Sequence, residues 1–403
     1  MRGLTLSLVA AGALSAALAA TPRAAHAVPC DQVAGLTNPV YLQVGDTQLS
    51  LMKRLARAMR DNTPRPVSLI FTTSGSCTNI RAIYDRTPLA AGVNVQYVPS
   101  IAENATWDPA TSATLTCQVP TGGKVPDVAN SALFNSACTT ETPPATVHHA
   151  RGPVQAYVMA VPKASSQTAI TFEEAYFTFG FGMGGMAAPW VDESQLFIRT
   201  VTKSTLLAWA ANIAVPADKW KGVRRDGSPM VVADLEASTS PEKAIGILGA
   251  EVYDSRRNTL KSLAFQAKGQ YAAFWPDSSP TSFDKRNVRD GHYTVWSPTI
   301  WMDTEAGGAP VSADARYVVD LIAGRSVTPA PSFDMTAVIA AVGLTPDCAM
   351  GVTRQFEGGP LSLYKPAESC VCKYEALVDQ SSCAACTTTC AAGVCRNGFC
   401  EVR

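Results

Sequence analysis

Histidine is scarce in this chain of 403 residues: His26, His148, His149 and His292 are the whole supply. Serine and cysteine nucleophiles usually need an imidazole in reach, and zinc sites draw on His or on free Cys. The scarcity narrows enzymatic chemistry, and TTSGSC (72–77) is not the G-x-S-x-G elbow of a serine hydrolase. An excess of charge of one sign is also missing, since basic and acidic residues each number 33. Without a basic surplus, nucleic acid or an anionic membrane is excluded as a broad-surface partner. After residue 27 no apolar run is long enough to span a bilayer.

Acid is absent from the first thirty residues too. Arg2 gives a basic start, Leu4 to Ala20 an apolar run, and Ala25-His26-Ala27 a small-x-small cleavage site. Residues 1–27 are therefore predicted to be a secretory signal peptide, and the remainder a secreted or periplasmic protein. All twelve cysteines follow it. An even number in an exported chain predicts disulfides, and the eight from Cys348 to Cys400 predict a stapled module over 345–403. Cys383-x-x-Cys386 has the spacing of a zinc or redox pair. No histidine follows His292 and free thiolates do not persist in an oxidising compartment, so no metal is expected. A Cys117–Cys138 bridge would pin the Pro/Thr/Ser-rich stretch 117–146, although spacing leaves the connectivity open.

Roughly 375 residues remain after the leader, more than one ordinary core, so two or more domains are expected. Strand-like and helix-like segments alternate. Val40–Val44 reads as a strand, and Leu51, Met52, Leu55 and Met59 then share one helical face. Val67–Thr72, Val154–Val161, Leu196–Arg199 and Ala244–Gly249 are further strands, predicting an α/β sheet with parallel strands. The cluster GFGMGG (180–185) reads as a loop, and His148-His149 as solvent-facing.

Two stretches share one logic. FTTSGSCTNI (71–80) and FIRTVTKSTLL (197–207) both run strand, polar turn, helix. Such turns offer hydroxyls and free N–H groups at a strand's carboxyl end, where open α/β sheets bind ligands. Thr202 or Ser204 is placed to cap the second helix, while Arg199 adds a bidentate fork and Lys203 a point charge. Gly45-Asp46-Thr47 ends a third strand in the same way. Together these turns point to a small oxyanion held between two lobes.

Over roughly residues 36–330 the order of these segments resembles the type II periplasmic solute-binding proteins, in particular the phosphate-binding branch. Thr73-Ser74-Gly75-Ser76 resembles that family's anion turn, and Arg199 to Thr205 its Arg-x-x-x-Ser-Gly-Thr segment, with Lys203 and Ser204 replacing serine and glycine. AIGILGAEVY (244–253) and GHYTVWSPTIWM (291–302) resemble later strands of the family. In PDVANSALF (126–134) Ser131 is kept, but Ala132 stands where the family's proton-accepting aspartate would be. The resemblance implies a two-lobed fold with a hinge near 151–158 and 245–250. It implies a discontinuous first lobe over 28–153 and 246–340, a second over 154–245, and the Cys-rich tail added at 345–403.

The ligand contacts it implies are Thr47, Thr73, Ser74, Gly75, Ser76, Ser131, Arg199, Lys203, Ser204 and Thr205. The expected function is capture of a phosphate-like oxyanion, with a membrane transporter or surface partner to receive it, by a monomer with no cofactor and no catalytic residue. The alternative is a ligand-free structural or adhesive protein attached through its tail.

Overall fold

The computed structural model describes residues 28–378 and 381–401, so the leader expected over 1–27 lies outside the described residues. Pro39–Gly45 (β1) is buried at every position after its first, as an apolar strand covered on both faces must be. Leu49–Arg60 (α1) packs Leu51, Met52, Leu55 and Met59 inward, the periodic face legible in the sequence. Ser68–Ser74 (β2) runs into Ser76–Tyr84 (α2). Asn94–Tyr97 (β3), Leu115–Gln118 (β4) and Val128–Ser131 (β5) follow.

A strand of 16 residues, Val147–Pro162 (β6), then crosses the molecule. Ala169–Thr171 (β7) leads into Phe172–Phe181 (α3), whose start carries a capping box between Thr171 and Glu174. Leu196–Arg199 (β8), Ser204–Ile213 (α4), Val223–Arg225 (β9) and Ser228–Ala237 (α5) come next. They are followed by Ile245–Gly249 (β10), Ala250–Asp254 (α6), Leu260–Ser262 (β11) and Ala264–Gln266 (β12). A turn of helix, Arg286–Arg289 (α7), precedes the second long strand, Trp296–Ala306 (β13).

One continuous strand path runs β4-β3-β2-β1-β5-β13-β6-β10-β8-β9. The pairs β1–β2, β1–β5, β10–β8 and β8–β9 are parallel, while β13 is antiparallel to both β5 and β6. The sheet is thus mixed: β2-β1-β5 and β10-β8-β9 form parallel ladders, while β4-β3-β2 and β5-β13-β6-β10 pair antiparallel. Two apolar cores lie along it. One gathers Val40, Leu55, Phe71, Val128, Trp301 and Val318; the other gathers Tyr157, Trp209, Leu248, Phe265 and Trp296.

Among the described residues only β6 and β13 put residues into both cores: Ala150 and Trp301 in the first, Val154 and Trp296 in the second. Ile245–Gly249, expected as a crossing, instead pairs with β6 and β8 inside the second core, and β13 crosses beside β6. The result is a two-lobed α/β fold with a small disulfide-rich C-terminal module. No helix among the described residues is long and apolar enough to cross a membrane.

The bridges correct one expectation. Cys117 pairs with Cys30 and Cys138 with Cys77, so no Cys117–Cys138 bridge forms. Cys117 lies on β4, where the turn Cys30–Gln32 packs against it, whereas Cys138 faces α2 from the turn after β5. The C-terminal bridges are Cys348–Cys370, Cys372–Cys383, Cys386–Cys395 and Cys390–Cys400. The segment leading into this module is woven into the lobes. Thr345 pairs with Val154, Asp347 accepts from Arg151, and Met350 and Val352 enter the second core.

Candidate functional site

The carboxyl ends of β1, β2 and β8 meet between the two cores, the place where open α/β sheets bind ligands. Arg199 ends β8 and is fully buried. Its Nε donates to the Arg225 carbonyl at 3.1 Å and its Nη1 to Ser228 Oγ at 2.6 Å. Its Nη2 donates to the Asp226 carbonyl and to Asp46 Oδ2, both at 2.7 Å. Ser228 gives the same Asp46 oxygen its N–H at 3.3 Å and its hydroxyl at 3.2 Å. Lys203 Nζ stands 4.0 Å from Asp46 Oδ1 and 3.3 Å from Asp226 Oδ1. Asp46 comes from the turn after β1, in the first core's lobe, and the groups around it from the second. A carboxylate of the chain thus fills the Arg199 fork.

The lobes also touch through backbone. The Cys77 N–H near the start of α2 donates to the Thr202 carbonyl at 3.3 Å. Thr202 does not cap α4, and neither does Ser204. The N-cap position is Lys203, in extended backbone and with no side-chain cap bond, and Ser204 is already the first helical residue. Its buried hydroxyl approaches Tyr157 instead.

The remaining hydroxyls are largely engaged. Ser76 Oγ accepts the Ala132 N–H at 3.1 Å, and Ser131 Oγ donates to the Leu133 carbonyl at 2.7 Å. The Tyr157 hydroxyl donates to the Ala132 carbonyl. Burial pushes that phenol's pKa well above its ordinary value, so it stays a donor. Thr47 Oγ1 donates to Gln155 Oε1 at 3.3 Å, and Gln48 Nε2 donates to the same oxygen. Gln155 Nε2 in turn donates to Glu251 Oε2 at 3.0 Å. Burial pushes the Glu251 carboxyl's pKa well above the usual carboxylate range. Thr205 Oγ1 is buried without a protein partner, and Thr73 and Ser74 sit half-buried at the end of β2, outside the Arg199 network.

The segment after Cys348 sends one more acid into the lobe junction. Glu357 is buried near Ser297 and the Phe134 backbone, though neither of its oxygens makes a hydrogen bond of normal geometry. Burial, only partly offset by nearby Arg354, pushes its pKa up to about 7. Arg354 stacks 4.3 Å from the Trp296 ring, and burial lowers its pKa to about 10.

The structure places Arg199, Lys203, Ser204, Thr205, Thr47, Ser76, Gly75 and Ser131 around one junction. It adds Asp46, Ser228, Gln155, Glu251 and Tyr157, which sequence reasoning passed over. Asp46 was legible as a member of the third polar turn, and Ser228 as the residue before Pro229 at a helix start. Tyr157 and Gln155 carried no local signal, being two residues of an apolar strand.

His148 and His149 lie elsewhere and correct a further expectation, that they face solvent. His148 Nδ1 is 2.7 Å from buried Asp303, and His149 Nε2 is 3.0 Å from the Tyr84 hydroxyl. Both are tied down on β6 because β13 and α2 flank them there. The sulfurs of Cys386, Cys390 and Cys400 cluster within 4.8 Å, but as members of two disulfides they are not thiolate ligands.

No protein-family model and no curated protein matches this chain. Among solved structures it is similar to a protein from Clostridium perfringens assigned as a phosphate ABC transporter substrate-binding protein, with bound phosphate. Identity is 12%, coverage 77% of this chain and 99% of that one, and the TM-score 0.51. An ABC-type phosphate transport receptor from Vibrio cholerae is 13% identical over 76% of this chain and 99% of its own, at TM-score 0.46. The reduced OxyR regulatory domain from Pseudomonas aeruginosa is 8% identical over 72% and 98%, at TM-score 0.38. At such identities the first of these likenesses shows the fold, and the other two carry no argument.

Proposed function

We propose that the chain is an exported two-lobed binding protein whose cleft receives a small oxyanion at Arg199. The carrying observation is the Arg199 fork itself. It is fully buried, fixed on one side by the Arg225 and Asp226 carbonyls, and aimed at a carboxylate oxygen from the other lobe. A seat that holds one oxyanion group in this way is built for that chemistry. Lys203 adds charge, and the start of α4 adds the positive end of a helix.

The lobes in this reading are 28–153 with about 297–344, and 154 to about 296, since the second core extends through Trp296. Ala132 offers no carboxylate to accept a proton from the ligand, and its backbone groups are held by Ser76 and Tyr157. The cleft therefore favours a fully ionised oxyanion over a protonated one. Phosphate remains the first solute to try, because a protein of this fold carries it.

Isothermal titration of the secreted protein with phosphate and then sulfate, beside Arg199→Ala, tests the reading. Binding to the wild type that is lost in the variant supports it; silence with both anions defeats it. Silence would favour the second reading, a ligand-free structural protein, whose motivating observation is that Asp46 already fills the fork.

A further inference from the structure

We infer that Asp46 is the resident occupant of the Arg199 seat: a tethered carboxylate that latches the lobes shut and that an incoming anion must displace. The latch stands on geometry alone; the displacement rests on the oxyanion reading above.

The geometry is inter-lobe. Asp46 follows β1, whose neighbours are packed in the first core, while Arg199, Lys203 and Ser228 belong to elements of the second. One oxygen of Asp46 gathers three donors from that second lobe: Arg199 Nη2, the Ser228 N–H and the Ser228 hydroxyl. The fork is preorganised without Asp46, because β9 and the turn after it supply the carbonyls that hold Nε and Nη2. Removing Asp46 would leave two cations, Arg199 and Lys203, at the junction with Asp226 as the one other carboxylate within 4.0 Å of either among the described residues. The Asp226 side chain is 80% exposed, so water screens most of its attraction. Asp46 thus supplies the negative charge from the first lobe that holds these cations of the second.

The same placement makes it a competitor. A second anion next to an ionised Asp46 in a partly dry site is repelled, so the solute and Asp46 cannot share the fork. The Asp46 side chain keeps 20% exposure, which leaves it a way out to solvent. A tethered group competes at an effective concentration in the millimolar range, so affinity for a free anion is set by how well Asp46 holds.

The test compares wild type with Asp46→Asn, both exported and with disulfides intact, and with Asp46→Ala as a second variant. Small-angle scattering without solute reads closure, and titration with phosphate and with sulfate reads the seat. The expected result is a compact wild type, a larger radius of gyration for both variants, and anion binding at least tenfold tighter in Asp46→Asn. An extended wild type, or variants as compact as wild type with unchanged anion affinity, overturns the inference. Variants that open yet bind neither anion would uphold the latch and defeat the oxyanion reading. Anion binding by a wild type whose compactness ignores residue 46 would do the reverse. Melting temperatures within a few degrees of wild type certify that the variants are folded.

Discussion

Gly75 lies flush against Thr202: a Cβ at position 75 would stand 2.7 Å from the Thr202 carbonyl oxygen and 2.8 Å from its Oγ1. The backbone there, φ −86° and ψ 149°, is open to any residue, so glycine is present for space and not for conformation. That space lets the start of α2 approach the second lobe closely enough for the Cys77 N–H to reach the Thr202 carbonyl.

Gly75→Ala should act as a wedge between the lobes. Overpacking of this kind costs about 1–3 kcal/mol, here charged to the closed state alone. Scattering should show a larger radius of gyration in the variant, with little change in the melting of either lobe. A variant as compact as wild type would mean the two turns slide past each other freely.

Arg199→Ala should weaken the protein as well as the seat. It takes this donor from the Asp226 carbonyl and leaves Asp46 with Ser228 and with Lys203 at 4.0 Å, and breaking one side of a buried ion pair costs about 3 kcal/mol. Arg199→Lys should recover little, because an ammonium cannot serve four acceptors in the plane of a fork. Chemical denaturation of the three proteins checks this; a loss under about 1 kcal/mol for Arg199→Ala would show that the network is not structural.

Glu357 gives stability a pH dependence of definite sign. Its pKa rises from an ordinary 4.5 to about 7 on folding, so the folded protein binds the proton more tightly. The associated stabilisation is complete below 4.5 and is lost as pH rises through about 7. Its size is on the order of 3 kcal/mol. Glu357→Gln mimics the protonated form and should flatten this fall. Melting curves of both proteins between pH 4.5 and 8 measure it, and parallel profiles would refute the assignment.

Peptide mapping under non-reducing conditions should recover Cys30 linked to Cys117 and Cys77 linked to Cys138. Replacing Cys77 and Cys138 together by serine should cost about 2–5 kcal/mol, since that bridge ties α2 to the turn after β5. A Cys117–Cys138 peptide would contradict the packing of β4 described above.

Much of this was legible locally. The helical face of Leu51, Met52, Leu55 and Met59, the strands on either side of it, and the polar turns at Thr47, Ser74 and Arg199 are short-range patterns, written in the period of the chain. They were enough to predict an α/β protein with polar turns at its strand ends, and the late cysteines announced a stapled module. What each polar group does at the junction was not local. Arg199 and Asp46 are 153 positions apart, and Gln155 and Glu251 are 96 apart. No periodicity links such residues, and the pairing exists only because β6 and β13 set the two lobes face to face. The same distance explains the cysteines: Cys30 and Cys117 are 87 positions apart and meet through sheet order, which spacing does not encode. Local sequence chose the elements and their chemistry, and packing across the lobes chose the partners, because hydrogen bonds and ion pairs depend on positions in space that chain order does not specify.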